Sequence, residues 1–115
     1  MKSATYDKSF AFAVEIIKAA EGLRRKTEYE MANQLLRSGT SIGANLAEAE
    51  FAQSSADYAS KYSIAIKEAA ESRYWLKLLT ETGKIDAETS ERLINRDDEI
   101  IRMLSASIKT IKSKQ

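Results

Sequence analysis

Apolar residues return at every third or fourth position along most of this chain, and strand-like alternation is not sustained anywhere. Over 7–26, Phe10, Ala13, Val14, Ile17 and Ala20 mark one helical face, with Asp7 or Thr5 placed to cap its start. Over 28–52 the stripe is Met31, Leu35, Ile42, Leu46 and Ala49. Over 55–81 it is Tyr58, Tyr62, Ala65, Ala69 and Leu76, with Ser54 or Ser55 as cap and Thr82-Gly83 as stop. A fourth stripe over 86–112, Leu93, Ile100, Leu104, Ile108 and Ile111, starts at Asp86 and ends among basic residues. Four amphipathic segments with short polar links predict an all-α fold, an antiparallel up-down-up-down four-helix bundle in a single domain, 1–115.

The stretch LLRSGTSIGANLAEAE, 35–50, tests that reading, because two glycines interrupt it. A phosphate loop needs a preceding strand and a lysine after the second glycine, and Ala44 stands there instead. A helix break would scramble the stripe, yet Leu35, Ile42 and Leu46 stay in phase across it. Gly39, Gly43 and Ala47 fall in one row, which suits one continuous helix with a groove for a closely packed neighbour. On another face of the same helix lie Arg37, Ser41, Asn45 and Glu48, a row that is either solvated or engaged by a partner.

Two of the segments carry more apolar residues than one buried face requires. Ile64, Trp75 and Leu78 project away from the Tyr62–Ala69–Leu76 stripe with Glu71 between them, and Phe12, Ile16, Ala19 and Leu23 form a second stripe on the first segment. Such residues bury against a partner, so Phe12, Ile16, Leu23, Ile64, Glu71, Trp75 and Leu78 are the expected subunit contacts of a homo-oligomer.

Charge narrows the partners without naming one. Lys and Arg number 18 against 17 Asp and Glu, so there is no bulk electrostatic case for nucleic acid. The cations are nonetheless clustered. Lys2, Lys8, Lys109, Lys112 and Lys114 belong to one end of the bundle, and Arg24, Arg25 and Lys26 to the other; both clusters also complement helix C-termini. With no cysteine and no histidine, thiolate and ferritin-like metal sites and the usual nucleophilic triads are missing their residues, and neither a cofactor nor a metal is expected. No apolar run approaches a membrane span and the first residues lack a signal-peptide core, so a soluble, cytoplasmic protein is the expectation. Asp97 is odd, a carboxylate between Leu93 and Ile100 in the apolar stripe of the fourth segment.

The segments 34–50 and 53–79 resemble the four-helix-bundle proteins named for the intervening sequences of 23S ribosomal RNA genes. The family pattern on the second helix is matched by Arg37, Ser41, Ile42, Gly43, Ala44, Asn45, Leu46, Ala47 and Glu48, and its third-helix signature by Ala69, Ala70 and Glu71. The resemblance implies a bundle assembling into a homopentameric ring, with Asn45, Glu48 and Glu71 in structural or interface roles. It also implies kinship with the accessory variability proteins of diversity-generating retroelements, which are strongly basic and bind nucleic acid. The expected function is a non-catalytic oligomeric scaffold that takes RNA or another nucleic acid on a basic rim. The alternatives are a protein-binding adaptor, or a small-molecule enzyme using Arg37, Arg73, Glu48 and Asp97 in a bundle pocket.

Overall fold

The structure is a computed structural model that describes residues 3–114. Four helices account for nearly all of it: α1 (Ala4–Arg25), α2 (Tyr29–Ala49), α3 (Ser55–Glu81) and α4 (Ala87–Ser113). Three have a side-chain cap at the N-terminus. Ser54 accepts from the Asp57 N–H and Asp86 from the Thr89 N–H, while the Ser3 hydroxyl accepts from the Tyr6 N–H and starts α1 three residues earlier than its apolar stripe suggests. Thr5 and Asp7, the expected caps, lie inside the helix.

Two of the links, both at one end of the bundle, close with the same hydrogen-bond pattern. After α3, Gly83 adopts φ 71° while its N–H reaches the Thr80 carbonyl and the Lys84 N–H reaches that of Leu79. After α1, Thr27 adopts φ 62°, its N–H bonded to the Arg24 carbonyl and that of Glu28 to Leu23. A β-branched residue in the left-handed region is strained, so the first link is held by its hydrogen bonds against the preference of its own residue.

Each helix packs on its neighbours in chain order, and α1 closes the bundle against α4; α1 and α3 stand on one diagonal, α2 and α4 on the other. Cross-helix pairs run in opposite senses along the chain, Glu48 with Lys61 and Arg37 with Glu68, Arg73 with Asp98 and Thr80 with Ser90, as antiparallel neighbours require. The result measures 47 × 21 × 19 Å, one helix long and two wide.

The core is built from Phe12, Ile16, Ala20 and Leu23 of α1, Leu35, Ile42 and Leu46 of α2, Ala65, Ala69, Leu76 and Leu79 of α3, and Leu93, Ile100 and Leu104 of α4. On α1 the large residues of the two apolar stripes are exchanged relative to the sequence reading, while Ala20 of the expected core stripe is buried as expected. Phe12, Ile16 and Leu23, expected at a subunit contact, are each 1% exposed or less, whereas Phe10, Val14 and Ile17 are 59%, 39% and 44% exposed. The inner stripe persists to the last turn of α1, while the Phe10–Val14–Ile17 row runs next into Glu21. A stripe that meets charge at Glu21, before the last turn, cannot line a bundle core for the helix's full length.

α2 is unbroken through both glycines. A Cβ on Gly39 would lie 2.7 Å from Ile16 Cγ2 and 3.1 Å from its Cβ, so the missing methyl is what lets α1 and α2 approach. Gly43 is less demanding, its nearest neighbours being Ser9 atoms at 3.7 Å.

Candidate functional site

The row Arg37, Ser41, Asn45 and Glu48 lies along α3. Arg37 Nη1 donates to Glu68 Oε1 at 3.0 Å and Nη2 pairs with Glu71, while Lys61 Nζ sits 3.0 Å from Glu48 Oε1. Asn45 Nδ2 donates to the Ser41 carbonyl and the Ser41 hydroxyl to that of Arg37, fastening the row to its own helix. Glu71 also accepts from the Trp75 indole N–H at 2.9 Å, and the Arg37 guanidinium, seconded by that indole, holds its carboxyl below the usual range. Arg37, Glu71 and Trp75 thus form one outward-facing network, with Trp75 half-buried against the core. Beneath it the Ser72 hydroxyl donates to Ser38 Oγ at 2.9 Å, a buried pair that replaces an apolar contact between α2 and α3.

Around this network α3 carries exposed apolar surface: Ile64, Tyr74 and Leu78 are 37%, 57% and 36% exposed, and the Tyr74 ring meets Trp75 edge-on at 5.1 Å. A second exposed patch lies on α1, where Phe10, Val14 and Ile17 share the outer face. Because α1 and α3 are diagonal, the two patches look out from different sides of the bundle. Of the seven residues expected at an interface, Ile64, Glu71, Trp75 and Leu78 are on this surface, and Phe12, Ile16 and Leu23 are not. On α1 the solvent-facing residues Phe10, Val14 and Ile17 are ones that the sequence reading assigned to the core.

The cations are less free than their clustering suggests. Lys8 pairs with Glu99 at 3.3 Å, Arg24 donates to Asn33 Oδ1 at 2.8 Å and Lys26 to the Lys84 carbonyl at 3.1 Å. Arg25, Lys109, Lys112 and Lys114 are exposed and make no ion pair among the described residues. Lys2 lies outside the described residues.

The residues proposed for a bundle pocket do not converge. Arg37 and Glu48 belong to the α2–α3 surface, Arg73 donates to Asp98 at 2.7 Å, and Asp97 is fully buried. Neither Asp97 oxygen has a hydrogen-bond partner among the described residues, and the same is true of the buried Ser9 hydroxyl. Burial, aided by the negative charge of Asp98 and opposed by Arg73, pushes the Asp97 carboxyl up to about 8. Asp97 is thus a buried carboxyl in an apolar stripe, with no hydrogen-bond partner among the described residues and with burial disfavouring its charged form. No cluster of side chains suited to a metal ion occurs among the described residues, and no described helix is long and apolar enough to cross a membrane.

The profile of the 23S rRNA-intervening sequence proteins matches residues 1–106. The chain belongs to that family. The 23S rRNA-intervening sequence bundle is similar to a crystal structure of a protein of unknown function from the S23 ribosomal protein family of Bacteroides thetaiotaomicron VPI-5482. The two are 48% identical with a TM-score of 0.90, over 92% of this chain and 99% of that one. No curated protein matches the chain.

Proposed function

We propose that this 23S rRNA-intervening sequence protein is a non-catalytic scaffold that assembles with copies of itself and binds RNA on the basic rims of the assembly. The observation that carries the reading is the pair of unlike apolar patches on diagonal helices, Phe10, Val14 and Ile17 on α1 and Ile64, Tyr74 and Leu78 on α3. Two different patches that bury each other join copies head to tail, and a head-to-tail contact that closes makes a ring, the pentamer implied by the family resemblance. A ring multiplies Lys109, Lys112 and Lys114 at one end and Arg25 at the other, so a chain of net charge +1 presents a cationic edge.

Light scattering coupled to size exclusion tests the assembly: a mass near five times 12.8 kDa is expected, and a monomer contradicts it. Binding of a fluorescent single-stranded RNA tests the rim. Affinity should fall steeply from low to physiological salt, as released counterions require, and be lost when Lys109, Lys112 and Lys114 are replaced by glutamine. Affinity that is flat with salt would mean phosphates are not what the protein holds.

A further inference from the structure

The seam between α1 and α4 is packed less extensively than the other three, and a cleft of ≈ 400 Å³ opens at its end, between the last turns of α1 and the link that enters α4. Ala19, Gly22, Leu23 and Ile85 contribute its apolar surface. Four cations, Lys18, Lys26, Lys84 and Arg92, line it together with two acids, Glu15 and Asp86.

Three of those cations tie the walls to one another. Lys26 donates to the Lys84 carbonyl, Lys84 pairs with Glu28 at the start of α2, and Arg92 Nε donates to Glu15 at 3.0 Å. The Asp86 carboxylate is committed to capping α4 through the Thr89 N–H. Lys18 alone among the four makes no hydrogen bond or ion pair among the described residues, although it borders the cleft. The walls are thus fixed by polar contacts while one cation at the mouth stays uncommitted.

Gly22 is the second, independent observation. It sits inside α1, where glycine is a poor helix former, yet a Cβ built on it would meet nothing within 4 Å. Packing therefore gives no reason for glycine there, in contrast to Gly39. What the missing side chain does provide is bare helix backbone exposed to the cleft, where a flat group can lie closer than any side chain would permit.

We propose that this cleft binds a small organic anion, a phosphate-bearing molecule with a flat apolar body that rests on Gly22 while its charged head meets Lys18 and the cationic wall. The site is distinct from the apolar patches and stands whether or not the chain assembles.

Titration of the full chain with adenosine 5′-monophosphate, followed by amide and methyl chemical shifts, tests it. Saturable shifts are expected at Gly22, Leu23, Ile85 and Thr89, with weaker effects from inorganic phosphate or adenosine alone. Gly22→Ala should bind at least about tenfold more weakly while its melting temperature rises, a combination that a folding defect cannot produce. Lys18→Gln should weaken the nucleotide and leave adenosine unaffected. The absence of saturable shifts, or equal affinity in wild type and Gly22→Ala, would overturn the proposal; inorganic phosphate binding as tightly as the nucleotide would overturn the flat-body part of it.

Discussion

Two glycines, one on each of two neighbouring helices, have opposite surroundings. Gly39 of α2 faces Ile16 so closely that a methyl group has no room, and the α1–α2 seam is closed around it. Gly22 of α1 faces open space, on the flank of α1 where the seam with α4 is loosely packed and a cleft opens. A glycine in a helix costs up to about 1 kcal/mol relative to alanine. At Gly39 closer packing of two helices offsets that cost; at Gly22 nothing within the chain does. The buried polar atoms without partners do not share that side: Ser9 lies beside Gly43 of α2, and Asp97 is in the core stripe of α4. One flank of α1 is therefore closed by packing, and the other keeps an open cleft that packing alone does not explain.

The largest expected effect comes from α4, the helix across the open seam, where Asp97 is buried in the core. The Asp97 carboxyl is raised from 3.8 to about 8, so the fold holds its proton where the unfolded chain has released it. Its contribution to stability is complete below the unfolded value and is lost as pH rises through the folded one, at up to about 1.4 kcal/mol per pH unit. Asp97→Leu should flatten that dependence and raise stability at neutral pH, and denaturant unfolding across the range will read both. A wild-type profile with no such fall would show that Asp97 has a partner in solution.

Gly39→Ala addresses the closed flank. Forcing a methyl against the branched Ile16 side chain costs about 1–3 kcal/mol, more than the helix-propensity gain returns. Net destabilisation is expected in thermal unfolding, and a neutral outcome would mean that the α1–α2 seam is looser than described. Gly43→Ala serves as the control, since its neighbours are at ordinary contact distance.

Smaller effects of opposite sign are expected at Thr27 and Gly22. Thr27→Gly should stabilise by about 1 kcal/mol, because the left-handed backbone at φ 62° no longer carries a branched side chain. Gly22→Ala should stabilise by about 0.4–1 kcal/mol, having a clear space to enter. If Gly22→Ala instead destabilised, the two glycines would be alike and the contrast between the flanks of α1 would collapse.

The bundle was legible in the sequence because phase survives composition. The Leu35–Ile42–Leu46 spacing showed one continuous helix through Gly39 and Gly43, and the Asp86 and Ser54 caps and the Gly83 stop follow from local chemistry. The orientation of α1 was not legible from its stripes alone, since Phe10–Val14–Ile17 and Phe12–Ile16–Leu23 are similarly apolar. The signal that separates them is the Glu21 terminating the first. The Thr27 turn gave no signal, because its φ is imposed by hydrogen bonds from Glu28 and Thr27 itself rather than by residue preference. Of the surface features, the Arg37–Glu71 link joins two stretches that carry the family resemblance, yet only packing shows that Trp75 completes it. The cleft at Gly22 was invisible, for it depends on how α1 and the α4 entry sit together.

Assembly by unlike patches is the central claim, and a mixing experiment tests it most directly. Phe10→Glu removes the α1 patch and Tyr74→Glu the α3 patch, both at well-exposed positions that leave the core intact. Each variant alone should be monomeric by light scattering. Mixed, they retain one intact α3 patch and one intact α1 patch between them, so the mass should rise to that of a dimer and no further. A mixture that stays monomeric, or single variants that assemble like wild type, would contradict head-to-tail contact between α1 and α3.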